Sequence, residues 1–304
     1  MIQGESISLA IPQFSIVIPV YNDWLSLEQC LQSLARQTNA PSLEVIIVDD
    51  GSTEPAPDSV HRSLPGRPLT IIRQTHIGIP TARNRGIQVS TGTMLLFMDA
   101  DSRLAANCLA ALNSAISHSP QHNYFQLRLV GNCSNLAGRA EALRLTTFQN
   151  HMLQPDGRIR YLNTAGFAIR RARADIRTGV FDPAALRAED TLLLAHLMQL
   201  GELPLFVPDA VVEHVIPLSL VECFRKDLRT VYLERPAYDI IASKGVRIRV
   251  THRERLRLLW SMWGTASQAS IGKSAWFALV ARQAFQRTVS FGYQFLHPGF
   301  AGKD

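Results

Sequence analysis

Ser15-Ile16-Val17-Ile18-Pro19-Val20 is a short apolar run, rich in β-branched residues, of the kind that is buried on both faces of a parallel sheet. After it, Asp23 can cap a helix that ends near Gln37. A second apolar run, Val45-Ile46-Ile47-Val48, stops abruptly at Asp49-Asp50-Gly51-Ser52. These three segments predict a β-α-β unit, and this unit decides the class of fold.

The alternation of strands and helices continues well beyond this unit. It predicts an α/β fold with a mostly parallel, Rossmann-like sheet flanked by helices. From residue 218 onward the strand signals disappear, so we predict one α/β domain over 1–217 and a helical C-terminal region over 218–304. The further predicted strands are 69–73, 94–98, 124–130, 164–169, 205–207 and 210–212, and the further helices are about 80–89, 105–117, 136–152 and 188–200.

Polar clusters follow three of the predicted strands. They are Tyr21-Asn22-Asp23, Asp49-Asp50-Gly51-Ser52 and Asp99-Ala100-Asp101-Ser102. Ligands of open α/β sheets bind outside the carboxyl ends of the strands. The sequence therefore predicts one site built from all three clusters.

Asp99 and Asp101 are two carboxylates separated by one small residue at a strand end. This spacing lets both side chains point toward one locus, and hard oxygen ligands suit Mg²⁺ or Mn²⁺, which also bind phosphate oxygens. An ion there would neutralise a leaving pyrophosphate. An Asx-turn or a helix cap before Leu104 is the alternative interpretation.

Two other clusters have a similar ambiguity. A carboxylate of Asp49-Asp50 could accept a hydrogen bond from a base imide or a ribose hydroxyl, although Asp-Gly is also an ordinary turn. The run Thr81-Ala82-Arg83-Asn84-Arg85-Gly86 places cationic side chains on a helix near the same edge. They could bind phosphate in a bidentate manner, or they could be solvated surface arginines.

Taken together, the motifs resemble the inverting family 2 glycosyltransferases of the GT-A fold over about residues 13–216. Linked motifs are far more specific than a single one, and they fall in that family's order and spacing. The motifs are Ile18-Pro19-Val20-Tyr21-Asn22, Ile47-Val48-Asp49-Asp50-Gly51-Ser52-Thr53, Ala82-Arg83-Asn84-Arg85-Gly86, Phe97-Met98-Asp99-Ala100-Asp101-Ser102, and Phe181-Asp182-Pro183 with Glu189-Asp190.

The resemblance implies a nucleotide-sugar donor and a divalent cofactor, Mn²⁺ or Mg²⁺. It also implies a metal site formed by Asp99 and Asp101, with His214 as a further ligand, although a lone histidine is more often structural. The donor-binding residues that it implies are Pro19, Val20, Tyr21, Asn22 and Asp50 around the base, Arg83 and Asn84 near the ribose and phosphates, and Asp99.

The resemblance also implies the catalytic group. Asp190 matches the general base, which would take the proton of an acceptor hydroxyl in a single inverting displacement. Glu189 and Gly166 fall in the acceptor region. Capping of the helix that follows is the alternative role for both Glu189 and Asp190.

The sequence departs from the family pattern at two places. His76 stands where many members have an amide before the Ala-Arg-Asn motif, so the diphosphate contacts are open. The glycine-rich acceptor segment is reduced to Ala165-Gly166-Phe167, which leaves the acceptor open.

The expected function is transfer of a sugar from a UDP- or GDP-type donor to a glycan or lipid-linked acceptor in polysaccharide or glycoconjugate synthesis. A polyprenyl-phosphate sugar synthase is an alternative, and a non-catalytic nucleotide-sugar-binding protein is another. A nucleotidyltransferase would need a glycine-rich phosphate loop after the first strand, and residues 20–23 are not one.

The net charge of +6 comes mainly from the C-terminal region, where ten arginines and lysines lie between residues 225 and 257. Tryptophans beside these arginines suit a bilayer interface, so we expect peripheral attachment to the cytoplasmic leaflet. Packing on the catalytic domain or on a second subunit is the alternative. No recognised nucleic-acid module accompanies the charge, so no nucleic-acid partner is expected.

The compartment expected from the sequence is the cytoplasm. The first residues lack a basic segment followed by an apolar one, so no signal peptide is expected. No apolar run approaches the roughly 20 residues needed to span a bilayer. The four cysteines lie far apart without metal-ligand spacing, so neither a zinc site nor a disulfide framework is expected.

Overall fold

The computed structural model describes residues 11–131, 135–175, 177–185, 187–214, 219–243, 245–246, 248, 250–268 and 272–296. Within this part an eight-stranded sheet has the order β3-β2-β1-β4-β7-β6-β8-β5. The strands are β1 (Phe14–Val20), β2 (Leu43–Asp49), β3 (Leu69–Arg73), β4 (Met94–Phe97), β5 (Ser102–Leu104), β6 (Tyr124–Gly131), β7 (Phe167–Arg170) and β8 (Leu205–His214).

The sheet is mixed, and its parallel part carries the predicted site. The pairs β3–β2, β2–β1, β1–β4 and β6–β8 are parallel. The pairs β4–β7, β6–β7 and β5–β8 are antiparallel. The carboxyl ends of β1, β2 and β4 therefore meet at one edge, as the sequence predicts.

Helices cover both faces of the sheet and make up the C-terminal region. Their bounds are α1 (Trp24–Ala35), α2 (Asp58–Arg62), α3 (Ile79–Val89), α4 (Cys108–His118), α5 (Leu136–Met152), α6 (Glu189–Leu200), α7 (Leu220–Ser243), α8 (His252–Gln268) and α9 (Lys273–Leu296).

The central strand β1 is buried along its whole length, which explains its continuous apolar run. Side chains alternate between the two faces of a strand. Ile16 and Ile18 lie in the cluster that includes Leu27 of α1, whereas Val17 lies in the cluster on the other face with Phe97. Asp23 caps α1 as predicted, because its carboxylate accepts a hydrogen bond from the Ser26 N–H at 3.3 Å.

Helix α3 lies unusually close to β1, and a glycine makes this approach possible. A Cβ atom on Gly86 would overlap Cγ1 of Val17. Only glycine lets the helix backbone reach the strand at this point. The close approach also sets the position of Arg83, one helical turn earlier.

The second half of the sheet differs from the prediction in two strands. One strand, β8, replaces the two predicted at 205–207 and 210–212, because a register shift opposite Leu127 and Arg128 absorbs Pro208-Asp209-Ala210. The predicted strand at 164–169 begins instead as a 3₁₀ turn, Thr164–Gly166, which the Asn163 side chain caps. The short elements α2 and β5 carry too few residues for a periodic signal, and the sequence did not predict them.

The C-terminal helices pack their inner faces on α5. Ala140 and Leu143 of α5 share a buried cluster with Met262 of α8 and Leu279 of α9. The buried Asp227 on α7 accepts two hydrogen bonds from Arg282 on α9, both 2.8 Å long. Part of the apolar content of this region therefore serves packing, as one of the two interpretations expected.

Several residues named from the sequence lie outside the described part of the chain. They include Cys133 of the four cysteines and Lys244, Arg247 and Arg249 of the ten basic residues, and the predicted boundary between 217 and 218 also lies there. The described cysteines Cys30, Cys108 and Cys223 are free and buried. None of the described helices is both long and apolar enough to traverse a bilayer.

Candidate active site

The three polar clusters lie together at the carboxyl ends of the parallel strands. The backbone N–H of Asp50 donates to Val20 O at 2.9 Å, which joins the end of β2 to the end of β1. The Asn22 side-chain oxygen accepts from Thr53 N at 2.8 Å, so Asn22 closes the same edge. Of the predicted base-pocket residues, Pro19 and Val20 at the end of β1 are buried, whereas Tyr21 and Asn22, which follow the strand, are exposed.

The two aspartates that follow one another at the end of β2, Asp49 and Asp50, have different roles. Asp49 takes the turn interpretation, because its Oδ1 accepts from Ser52 N at 2.8 Å. Asp50 is 2% exposed, and its carboxylate organises the loop that follows β3. The donors to this carboxylate are Gln74 Nε2 at 2.8 Å, Ile77 N at 3.0 Å and Gly78 N at 3.0 Å. His76 Nδ1 also lies 3.0 Å from Asp50 Oδ2, and its hydrogen bond is with the Asp50 backbone carbonyl oxygen.

The three predicted metal ligands come together. Asp99, Asp101 and His214 each offer one ligand atom, and these atoms all lie within 4.8 Å of one another. The pairing of β5 with β8 aligns Ser102 with His214, which brings the imidazole beside Asp101. His214 Nε2 lies 3.4 Å from Asp101 Oδ2, whereas the buried Asp101 Oδ1 has no hydrogen-bond partner in the described structure.

This donor set fits a divalent ion. Two carboxylates and one imidazole are ligands that suit Mn²⁺, and the buried Asp101 Oδ1 without a described partner is an oxygen that could bind the ion. Burial raises the pKa of Asp99 even against the opposing charge of Arg83. Burial would also raise the pKa of Asp101, but the hydrogen bond and charge of His214 bring that pKa below its usual value.

Arg83 joins the metal motif to the start of α6. Arg83 is 1% exposed, and its guanidinium donates to Asp99 Oδ1 at 2.6 Å and to Glu189 Oε1. Its Cζ also lies 5.6 Å from the centroid of the Phe181 ring. Arg83 is therefore not a solvated surface arginine, and its described partners are two carboxylates; contact with the donor phosphates stays a prediction.

Asn84 holds a loop from the other side of α3. Its Oδ1 accepts from Val180 N and Phe181 N, both at 3.0 Å, and its Nδ2 donates to Phe181 O at 2.6 Å. These bonds place the loop before α6. The predicted contact between Asn84 and the donor stays a prediction, since its described bonds all go to this loop.

Asp190 lies in the first turn of α6. Its Oδ1 accepts from Thr191 N at 2.6 Å and from Thr191 Oγ1 at 3.1 Å. Burial, and then the charge of the neighbouring Glu189, raise the pKa of Asp190 to about 7. A carboxyl with this pKa can take up a proton near neutral pH, as a general base must.

Gly166 takes a buried position in the 3₁₀ turn. A Cβ atom there would lie 3.0 Å from Leu129 Cδ2 and 3.2 Å from Val212 Cγ2. Gly166 thus packs closely against side chains of β6 and β8, and its place in the acceptor region stays a prediction. The other predicted acceptor residue, Glu189, is bound to Arg83.

The sequence did not point to one charged pair behind the metal group. On α5, Glu141 accepts from Arg144 Nε at 2.8 Å. Burial would raise the pKa of Glu141, but Arg144 outweighs it and brings the pKa to about 2, and the resulting charge acts on His214. The spacing of three residues between them is visible in the sequence, but nothing in it indicates that the charge of Glu141 acts on His214.

The fold is that of the GT-A class of glycosyltransferases. The mannosyltransferase PcManGT from Pyrobaculum calidifontis, solved with GDP-Man and Mn²⁺, matches 94% of this chain and 88% of its own with a TM-score of 0.61 and 17% identity. S. aureus TarS 1–349 in complex with UDP matches 93% of this chain and 91% of its own with a TM-score of 0.55 and 18% identity. At these identities the likeness establishes the fold.

The model of glycosyl transferase family 2 matches residues 15–177, more than half of the chain. The chain belongs to this family. A PGL/p-HBAD biosynthesis glycosyltransferase of Mycobacterium tuberculosis (strain H37Ra) is 42% identical over 116 residues, which are 37% of this chain and 45% of the relative. The uncharacterized glycosyltransferase YibD of Escherichia coli is 37% identical over 93 residues, 30% of this chain and 27% of its own. The chain thus spans less than half the length of each of these two curated relatives.

Proposed function

We propose that the chain transfers a sugar, with inversion, from a UDP- or GDP-type nucleotide-diphosphate sugar to a hydroxyl of a glycan or lipid-linked acceptor. The observation that carries this proposal is the grouping of Asp99, Asp101 and His214 at the sheet edge that also presents Tyr21. Two structures of the same fold support the donor class, since one holds GDP-Man and the other UDP.

Asp99, Asp101 and His214 would hold Mn²⁺ or Mg²⁺. The ion, when bound, would supply positive charge to the departing nucleotide diphosphate. Arg83 orders the site because it pins Asp99 of the metal motif and Glu189 of α6 to one guanidinium. These contacts fix the metal motif, which would bind the donor phosphates, relative to the start of α6, where the general base Asp190 lies.

Asp190 would perform the proton transfer. The acceptor hydroxyl oxygen attacks the anomeric carbon on the face opposite the nucleotide diphosphate, and the new C–O bond forms as the bond to the leaving phosphate oxygen breaks. The hydroxyl proton passes to the Asp190 carboxylate, whose raised pKa suits this step. One displacement inverts the anomeric carbon without a covalent enzyme intermediate.

Asp101→Asn is expected to weaken Mn²⁺ binding by at least about 10-fold, because even residues outside the ligand shell contribute that much at metal sites. Isothermal titration with Mn²⁺ measures this effect. In a screen of UDP- and GDP-sugars, release of nucleoside diphosphate should fall with it.

The matched control is Asp58→Asn, which removes an exposed carboxylate on α2. It should leave both Mn²⁺ binding and diphosphate release at the wild-type level. Diphosphate release that survives both chelation and Asp101→Asn would overturn the metal assignment.

We also propose that the outer face of α8 and α9 attaches the protein to an anionic membrane surface that presents a lipid-linked acceptor. Leu256 and Trp260 follow each other at helical spacing and are 59% and 76% exposed. Trp263, one turn further along, contacts Phe277 of α9, which is 60% exposed.

The charge around this apolar strip favours anionic lipid. Arg253, Arg257 and Lys273 are exposed beside it. Glu254, the single acidic residue in the sequences of α8 and α9, accepts a hydrogen bond from Thr251 N and pairs with Arg160. Tryptophans with basic residues on one helix face suit the headgroup region of a bilayer.

In flotation assays the full chain should bind vesicles that contain anionic lipid more strongly than neutral vesicles. Trp260→Ser should lower the partition coefficient about 10-fold, because a large aromatic side chain loses its apolar burial. Leu25→Ser, which replaces a 71% exposed leucine on α1, is the control and should bind as wild type. Wild-type protein that stays with the soluble fraction at low salt would refute the attachment.

A further inference from the structure

His76 lies over the two groups that the proposed base pocket offers. Its imidazole stacks on the Tyr21 ring, with centroids 4.1 Å apart and planes 24° from parallel. Its Nδ1 lies 3.0 Å from Asp50 Oδ2 and 3.0 Å from the Asp50 carbonyl oxygen. Both rings remain partly open to solvent, since Tyr21 is 47% exposed and the His76 side chain 56%.

The contacts of His76 are those that a nucleobase would make in the same place. A base presents a flat aromatic face and, in uracil or guanine, an imide N–H. The hydrogen-bond partner of Nδ1 is the Asp50 carbonyl oxygen, an acceptor, so this nitrogen carries the proton. It lies 3.0 Å from Asp50 Oδ2, the atom to which an imide N–H would donate. The imidazole therefore mimics a base in both stacking and hydrogen bonding.

The His76 side chain covers the one acceptor position of the Asp50 carboxylate that the other donors leave. A carboxylate has about four lone-pair sites. Gln74, Ile77 and Gly78 donate to three of them, two through backbone N–H groups. The backbone of this loop is held by close packing, because a Cβ atom on Gly51 would lie 2.6 Å from His76 N. The His76 side chain is the exposed donor of the set, and rotation about its side-chain bonds would free its position.

We propose that His76 occupies the nucleobase position in the empty enzyme and must swing out before the nucleotide of the donor can bind. The His76 side chain thus competes with the base of the donor and lowers the affinity of the protein for the donor. This inference rests on the proposed function, in which Tyr21 and Asp50 hold the base. If the closed arrangement is populated about 90% of the time, it weakens the apparent affinity about 10-fold.

The inference predicts an effect that depends on the base. Titration of UDP and GDP in the presence of Mn²⁺ should give about 10-fold tighter binding to His76→Ala than to wild type. Titration of pyrophosphate with Mn²⁺ should give equal affinities for the two proteins, because pyrophosphate has no base to compete. His61→Ala, which removes an exposed histidine on α2, should match wild type for all three ligands.

Two further variants separate competition from damage to the loop. His76→Asn keeps a hydrogen-bond donor but removes the ring, and should bind the nucleotide with intermediate affinity. Tyr21→Ala should bind it more weakly than wild type, because the stacking surface is lost. Thermal melting of each variant reports whether the loop stays folded.

Each outcome bears on one of the two proposals. Nucleotide binding to a folded His76→Ala that is equal to or weaker than that of wild type would overturn the competition, and so would tighter binding of pyrophosphate by the same factor. Absence of UDP and GDP binding by wild type and every variant would instead overturn the proposed donor class.

Discussion

Replacement of Asp190 by Asn is expected to lower kcat by about 10²- to 10⁴-fold, the usual contribution of a positioned general base. The amide keeps the shape of the side chain and can still accept from Thr191, but it cannot take the acceptor proton. Single-turnover transfer with a donor identified by the screen measures the loss. Asp209→Asn, an exposed position in β8, is the control.

The same substitution should not destabilise the fold. Because burial raises the pKa of Asp190 to about 7, the ionised carboxylate is less favourable in the folded state than in the unfolded chain. This cost is absent below the usual pKa of about 4 and fully present above about pH 7. Asp190→Asn should therefore melt at or above the wild-type temperature at pH 8 and gain nothing at pH 4.

The pH profile of the wild type gives an independent check. The rate should rise with pH up to a plateau above about 7, as the Asp190 carboxyl loses its proton. A rate that is flat between pH 5 and 8, or an Asp190→Asn variant with near-wild-type kcat, would remove Asp190 from the proton-transfer role.

Replacement of Arg83 by Met is expected to destabilise the protein by about 3–5 kcal/mol, the usual cost when one partner of a buried ion pair is removed. The guanidinium is buried between Asp99 and Glu189, so its loss leaves two carboxylates without a cation between them. Urea denaturation measures the free energy of unfolding.

A control lies two residues further along the same helix. Arg85 is exposed and donates to Gln88, so Arg85→Met should change stability by no more than about 0.5 kcal/mol. Adding Glu189→Gln to Arg83→Met should recover part of the loss, because one unpaired charge is removed. Equal stability of the two arginine variants would show that the buried ion pairs contribute nothing to folding.

The placement of the metal ligands illustrates how much of the site can be predicted from the sequence. The apolar run before Asp99 predicts a buried strand, and its end predicts where the carboxylates lie. The family resemblance adds His214 from a segment more than a hundred residues away. The strand β5, which aligns His214 with Ser102, is only three residues long, so no periodic pattern announces it.

The sequence by itself determined the α/β class, the main strands and the edge at which the site lies, because the periodicity of apolar residues reports local structure directly. It did not determine which side chains are free to meet a ligand. Only the tertiary structure shows that Arg83 is buried and bound to Asp99, that the Asp50 carboxylate accepts from the loop after β3, and that His76 stacks on Tyr21. These contacts depend on how α3 packs on β1 through Gly86 and on where the loops cross. Contacts between segments that are distant in sequence produce no periodic pattern of apolar residues, so the sequence alone does not predict them.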